Sequence, residues 1–125
     1  QIFLSGIEVN AEDLTSSKVD ERFLEKAIEL VEKNLDNSDY SVEAFSDDMC
    51  MSRMNLYRKL QIITGQKPTE FIRSIRLKKA AGLLTHTELT VIEISEKVGF
   101  ATPSYFSKCF KEMFGVLPTQ YHSQD

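Results

Sequence analysis

Residues 41–49, SVEAFSDDM, and residues 90–98, TVIEISEKV, follow one pattern of apolar and polar positions at an offset of 49. After one extra residue in the next loop, the repeat continues at an offset of 50 as far as Pro68 and Pro118. Self-similarity at such a period is the signature of a repeated supersecondary unit. The sequence therefore predicts two copies of one structural unit.

Each copy predicts a short helix, a tight turn and a second helix. Serine or threonine, residues favoured as helix N-caps, stands before all four helices. Glycine follows both second helices, where a left-handed residue commonly ends a helix. Two short helices joined by a tight turn form a helix-turn-helix. The predicted second helices cover residues 53–64 and 103–114.

The two turns differ at one position. Gly99 suits the second turn because glycine tolerates a positive φ angle. Cys50 stands at the equivalent place in the first turn, where a left-handed conformation would be strained. We therefore expect the first turn to differ in shape from the second.

The segments outside the repeats complete an all-α prediction of about seven helices. A helix is predicted from Asp20, as its N-cap, to Leu35, with an apolar stripe that includes Ala27 and Val31. A long linker helix begins at Pro68, which fits a first helical turn. The expected divisions are a linker from an upstream domain at 1–19, the N-terminal helix and first helix-turn-helix at 20–67, the linker helix at 68–86 and the second helix-turn-helix at 87–125.

Charge is distributed unevenly along the chain. The formal net charge is −4, which by itself argues against a nucleic-acid partner. Residues 1–48, however, carry 13 acidic and 4 basic residues, whereas residues 49–79 carry 8 basic residues and one acidic residue. Because salt screens charges over about 8 Å, a DNA duplex would feel the local basic patch more than the acidic segment. On charge alone, a solvated basic face remains an equal alternative.

Several function classes find no support in the residues. Cys50 and Cys109 lack metal-ligand spacing and, with only two histidines, assemble no zinc site. We interpret them as reduced thiols of a cytoplasmic protein. No paired carboxylates, activated nucleophile or phosphate loop indicates an enzyme, and no cofactor or metal is expected. No run of about 18 apolar residues indicates a membrane span.

The outer faces of the two predicted second helices carry side chains suited to DNA. Arg58 can donate two hydrogen bonds to guanine, and Asn55 can pair with adenine. The predicted base contacts are Arg53, Met54, Asn55, Arg58, Ser104, Tyr105 and Lys108. Basic and hydroxyl side chains around them suit phosphates, which position a protein without specifying sequence. The predicted phosphate contacts are Ser52, Lys59, Arg73, Arg76, Lys78, Thr102, Ser107 and Lys111.

Each of these roles has a structural alternative. A polar outer face is a property of any surface helix. Met54 can cover a thymine methyl group or fill a gap between helices, and Tyr57 and Tyr105 can be partly packed. The predicted cores are Leu56, Leu60 and Ile63 in the first copy and Phe106, Phe110 and Met113 in the second.

The sequence resembles the AraC/XylS family of bacterial transcription regulators. The matching stretches are residues 52–60, SRMNLYRKL, residues 64–72, TGQKPTEFI, residues 76–80, RLKKA, and residues 98–111, VGFATPSYFSKCFK, followed by FGVLP at 114–118. The resemblance implies that the two second helices, at residues 53–64 and 103–114, are recognition helices that enter successive major grooves of double-stranded DNA. Cys50 and the lack of a second strong base in the second copy depart from the family pattern.

The order of segments also resembles the C-terminal module of hybrid two-component regulators of Bacteroides-type bacteria. That resemblance implies an upstream receiver domain, a histidine kinase elsewhere in the parent chain and anchoring of the parent in the inner membrane. RNA polymerase and a second copy of the parent are further candidate partners. The first copy is expected to dominate affinity and the second to set spacing. The alternative function is a helical protein-interaction module without DNA binding.

Overall fold

The computed structural model describes residues 11–123 and is helical throughout, with no strand in that range. This confirms the predicted all-α fold. The seven helices are α1 (Ala11–Lys33), α2 (Val42–Asp48), α3 (Arg53–Thr64), α4 (Pro68–His86), α5 (Val91–Lys97), α6 (Pro103–Phe114) and α7 (Pro118–Ser123). Helices α2 and α3 form the first unit, and α5 and α6 form the second. Both predicted recognition helices are confirmed as α3 and α6.

The predicted N-caps set the starts of the four unit helices. In each case a side-chain hydroxyl oxygen accepts a hydrogen bond from the backbone amide three residues later, at 3.1 to 3.2 Å. This bond satisfies one of the amides that a helix leaves without an internal partner at its first turn. The caps are Ser41, Ser52, Thr90 and Thr102.

The prediction that the two turns differ in shape is wrong. Cys50 adopts a left-handed φ of 58°, and Gly99 adopts 81°. The closing hydrogen bonds also correspond, because the amides of Met51 and Phe100 each donate to the carbonyl five residues earlier, at 3.0 and 2.9 Å. The side chain of Cys50 is exposed. A Cβ at Gly99, by contrast, would overlap the Arg76 guanidinium and the Leu35 carbonyl.

The linker helix α4 is shared by two hydrophobic clusters. The first cluster lies under the first unit and includes Phe45, Leu56 and Leu60, together with Ala27 and Val31 of α1. The second lies under the second unit and includes Val98, Phe106 and Phe110. Helix α4 contributes Phe71, Ile72 and Ile75 to the first cluster and Leu77, Ala80, Ala81 and Leu84 to the second. Both units therefore pack against the same helix, α4.

Two further expectations need correction. Helix α1 begins at Ala11 rather than at Asp20, so Asp20 is not an N-cap and residues 11–19 are helical. The remainder of the predicted linker, residues 1–10, lies outside the described residues.

Met113 is 38% exposed, and Cys109, 4% exposed, takes the core position beside Phe106 and Phe110. Helix α6 ends one residue after Met113, where little remains to cover it.

Candidate nucleic-acid interface

Helix α3 presents Arg58 at the centre of its exposed face. Leu56 and Leu60 are fully buried, and at about 100° per residue Arg58 points directly away from them. Met54 and Ile62, four residues to either side, are 62% and 82% exposed. Asn55 is also exposed, beside the row formed by Met54, Arg58 and Ile62. The exposed face of α3 therefore offers one bidentate donor, one amide and two apolar side chains.

Helix α6 presents the equivalent face with different chemistry. Lys108 stands where Arg58 stands in the first unit, and Ser104 stands in place of Met54. Both side chains are exposed, as is Lys111. Tyr105 is half-exposed, and its ring lies 5.8 Å from that of Phe100, so it is partly packed. The second face therefore carries lysine charges and hydroxyls but no arginine or amide.

The two faces are connected across α4. A cleft of about 470 Å³ between the units is lined by Thr69 and Arg73 of α4 and by Ala101 and Tyr105 at the start of α6. Thr69 also lines a larger, mainly apolar groove along α3, beside Met54 and Tyr57. The exposed face of α3, the side chains of Thr69 and Arg73 and the first turn of α6 thus form one continuous surface, here called the inter-unit surface.

The N-cap hydroxyls Ser52 and Thr102 lie at the same place in each unit. Each uses its oxygen as an acceptor for its own helix, at 3.1 Å from Asn55 N and 3.2 Å from Tyr105 N. The hydroxyl proton remains to be donated outwards, because a hydroxyl is both donor and acceptor. Both residues are exposed and suit the predicted phosphate contacts.

The remaining basic side chains do not all reach this surface. Lys59 Nζ lies 3.8 Å from Asp20 Oδ1 of α1 and 5.2 Å from the centre of the Phe23 ring. Helix α1 therefore already engages one predicted phosphate contact. Lys78 is exposed, but five residues separate it from Arg73, which places it about 140° further around α4. Ser107 is half-buried on α6, and Arg53 is exposed at the start of α3.

Arg76 is not available to a phosphate, and this expectation was wrong. Its side chain is 6% exposed, and its guanidinium donates to the backbone carbonyls of Leu35, Asn37 and Val98 at 2.6 to 2.9 Å. The helical period places it on the buried face, four residues after Ile72 and four before Ala80, but a charged side chain is normally assigned to the surface. Burial lowers the pKa of the Arg76 guanidinium, and the nearby Asp36 carboxylate opposes that change.

Ile62 and Thr69 of the inter-unit surface are absent from the predicted contacts. Ile62 lies four residues after Arg58, so the helical period alone places it on the exposed face. An apolar side chain at a helix end is nevertheless normally assigned to the core. Thr69 carries no comparable signal, because its exposure depends on how α4 packs against the second unit.

Two general features of the described residues bear on other functions. They include no group of three or more His, Cys, Asp or Glu side chains placed to hold a metal ion. None of the helices in this range is both long enough and apolar enough to cross a membrane.

Residues 45–124 match a family model described as a helix-turn-helix domain. Over 122 residues the chain is 40% identical to "Histidine kinase P4" of Formosa agariphila, and over 111 residues it is 32% identical to the "HTH-type transcriptional activator RhaR" of an Enterobacter species. These alignments cover 98% and 89% of this chain but only 9% and 39% of the two relatives. The chain thus spans a small part of each relative.

Among solved structures, the fold is similar to the C-terminal domain of AraT, a response regulator from Geobacillus stearothermophilus. The TM-score is 0.75 and the identity 34%, over 82% of this chain and 85% of that chain. The fold, the paired exposed faces and these likenesses define a helix-turn-helix protein of the transcription-regulator class. The chain belongs to the AraC family of DNA-binding domains within that class.

Proposed function

We propose that this domain binds double-stranded DNA sequence-specifically, with α3 and α6 in successive major grooves. One observation supports this arrangement above the others: the repeated frame gives α3 and α6 equivalent exposed faces, which the inter-unit surface joins. A major groove admits an α-helix, and two such helices on one chain require the DNA backbone to pass between them. Thr69 and Arg73 lie where that backbone would pass.

The two units contribute unequally in this proposal. Arg58 reads guanine and Asn55 reads adenine from α3, because these side chains match the donor and acceptor pattern of the two purines. Met54 and Ile62 contact thymine methyl groups on either side. In α6, Ser104, Tyr105 and Lys108 supply weaker base contacts. Ser52, Arg73, Thr102 and Lys111 bind phosphates, so the first unit dominates affinity and the second sets spacing.

The same proposal places the domain at the output end of a two-component signalling protein. Its support is the 40% identity to a protein named as a histidine kinase and the likeness to a response-regulator C-terminal domain. The kinase, the receiver domain and any membrane anchor then belong to other parts of the parent protein. RNA polymerase and a second copy of the parent would be contacted after DNA is bound.

Salt dependence of DNA binding tests the proposal. A duplex selected from a random pool should bind with an affinity that falls steeply between about 50 and 200 mM salt, because phosphate contacts release counterions. Arg58→Ala should weaken binding by about 1–3 kcal/mol and relax the preference at one base position. Affinities are measured by fluorescence anisotropy on the selected duplex and its single-base variants.

Arg22→Ala is the matched control, because it removes an exposed arginine from α1. It should leave base preference unchanged. A flat salt response, or no enrichment of any duplex, would contradict DNA binding and favour a protein-interaction module. An equal loss on all duplexes in Arg58→Ala would assign Arg58 to a phosphate instead.

A further inference from the structure

The buried guanidinium of Arg76 binds three backbone carbonyls that lie on two separate segments. Its Nη1 donates to the carbonyl oxygens of Leu35 at 2.6 Å and Val98 at 2.8 Å, and its Nη2 donates to Asn37 at 2.9 Å. Leu35 and Asn37 lie between α1 and α2, and Val98 is the C-cap of α5. One side chain of α4 thus holds a segment leading into the first unit and the end of the first helix of the second unit.

The environment explains why an arginine stands here without a carboxylate in bonding distance among the described residues. The last carbonyls of a helix lack partners within the helix and carry its partial negative charge. The ends of α1 and α5 both supply such carbonyls, at Leu35 and Val98. A planar guanidinium has donors fixed in a fork and can serve several acceptors at once, whereas a lysine ammonium is a compact point charge.

The position of Arg76 coincides with the boundary between the two hydrophobic clusters. Leu35 packs against the second cluster, although the helix it follows contributes Ala27 and Val31 to the first. Gly99 fits against the guanidinium so closely that any Cβ there would overlap it. Hydrophobic packing attaches each unit to α4, and Arg76 adds directional bonds between the segments.

We propose that Arg76 is a positioning residue that fixes α3 and α6 relative to each other, and thereby fixes the half-site spacing that the domain accepts. This inference rests on the proposed function. Two DNA-reading units on one chain form a bivalent ligand, whose gain in affinity is lost when geometry prevents both from engaging. A rigid connection between the units restricts the gain in affinity to one half-site spacing, whereas a loose connection gives a smaller gain at several spacings.

Spacing discrimination is the readout, because general destabilisation does not alter it. Duplexes carry the two selected half-sites at the selected separation and with one or two base pairs added or removed. Wild-type protein should lose about tenfold or more in affinity per base pair, since both half-sites can no longer be engaged together. Arg76→Lys and Arg76→Met should bind the selected duplex more weakly and show a difference below about threefold across the series.

Leu84→Ala serves as the control, because it removes a buried side chain of the same helix without touching the three carbonyls. It should lower the melting temperature and retain wild-type spacing discrimination. Wild-type discrimination in a folded Arg76→Lys variant would overturn the proposal. Loss of helical circular dichroism in both Arg76 variants would also overturn it, since Arg76 would then be needed for folding as such. A wild-type protein that binds no duplex would instead contradict the proposed function.

Discussion

At the scale of single residues, Cys50 and Gly99 show how one backbone conformation tolerates different side chains. Both hold the left-handed position of their turns. A β-carbon in this conformation costs about 1–2 kcal/mol, because it crowds the adjacent carbonyl oxygen. Cys50 is exposed and meets only this backbone cost. Gly99 lies against Arg76 and Leu35, so a side chain there would also disrupt the packing between the segments.

Cys50→Gly should therefore stabilise the domain. Relief of the left-handed strain exceeds the extra entropy that glycine gives the unfolded chain, which leaves a gain of up to about 1 kcal/mol. The midpoint of urea unfolding should rise with an unchanged slope. Gly99→Ala is the contrasting variant and should be strongly destabilised. A Cys50→Gly variant less stable than wild type would show that the thiol makes a favourable contact outweighing the strain.

The burial or exposure of a side chain was predictable from sequence where its chemistry and the helical period agreed. Leu56, Leu60, Phe106 and Phe110 are buried as the period requires, and Arg58 and Lys108 face outwards. The period also places Arg76 on the buried face, but its charge predicts exposure, and the carbonyls that it binds lie 22 to 41 residues away in the chain. Met113 lies one residue before the end of α6 and is partly exposed, whereas Cys109 is buried. Long-range packing and element length decide these cases.

At the scale of elements, the N-caps give the recognition helices their starting points and also lie within the proposed interface. Thr102 caps α6 within the proposed DNA interface, whereas Thr90 caps α5 outside it. Both make the same bond, at 3.2 and 3.1 Å. The two threonines therefore separate the structural role of a cap from its role in binding.

Thr102→Ala and Thr90→Ala should each lower the free energy of unfolding by about 1 kcal/mol, because each leaves one helix amide without its partner. Only Thr102→Ala should also weaken binding to the selected duplex, with an unchanged salt dependence, because a neutral hydroxyl binds a phosphate without releasing a counterion. Chemical denaturation and anisotropy titrations measure the two effects. Equal affinity losses in both variants would mean that Thr102 acts through stability alone.

Helix boundaries followed from sequence wherever a cap or proline marked them. Pro68 and Pro103 stand at the first positions of α4 and α6, and Gly65 follows α3. Residues 11–19 were not predicted to be helical, because Asp20 resembled a cap. In the structure Asp20 instead lies within α1 and pairs with Lys59. Its carboxylate serves a tertiary contact that local pattern does not reveal.

At the scale of the whole molecule, the acidic N-terminal segment folds against the basic one. Helix α1 pairs Asp20 with Lys59 and Glu32 with Lys79, at 3.8 and 3.2 Å. Arg53, Arg58, Arg73, Lys108 and Lys111 form no ion pair with any described residue. The domain can therefore carry a net negative charge and still keep basic side chains free on the inter-unit surface.

Asp20→Asn should raise affinity for DNA by releasing Lys59 to a phosphate. An exposed ion pair is worth at most about 1 kcal/mol, so the gain should not exceed about fivefold at low salt and should vanish near 0.5 M. Anisotropy titrations at several salt concentrations measure the gain. Glu21→Gln removes the same charge from an exposed position one residue away and is the control. If both variants gain affinity equally, the negative charge of α1 weakens DNA binding as a whole, and the release of Lys59 is not the cause of the gain.

The length of α4 sets both the separation and the relative orientation of the two units, and it can change only by whole residues. One residue inserted between Ile75 and Leu77 would rotate everything beyond it by about 100° and advance it by about 1.5 Å. The second unit would then point away from a duplex held by the first. The smallest insertion that nearly restores the orientation of the second unit is seven residues, which leaves a rotation of about 20°. Homologues that recognise differently separated half-sites are thus expected to change side chains at this junction and to conserve the length of the helix.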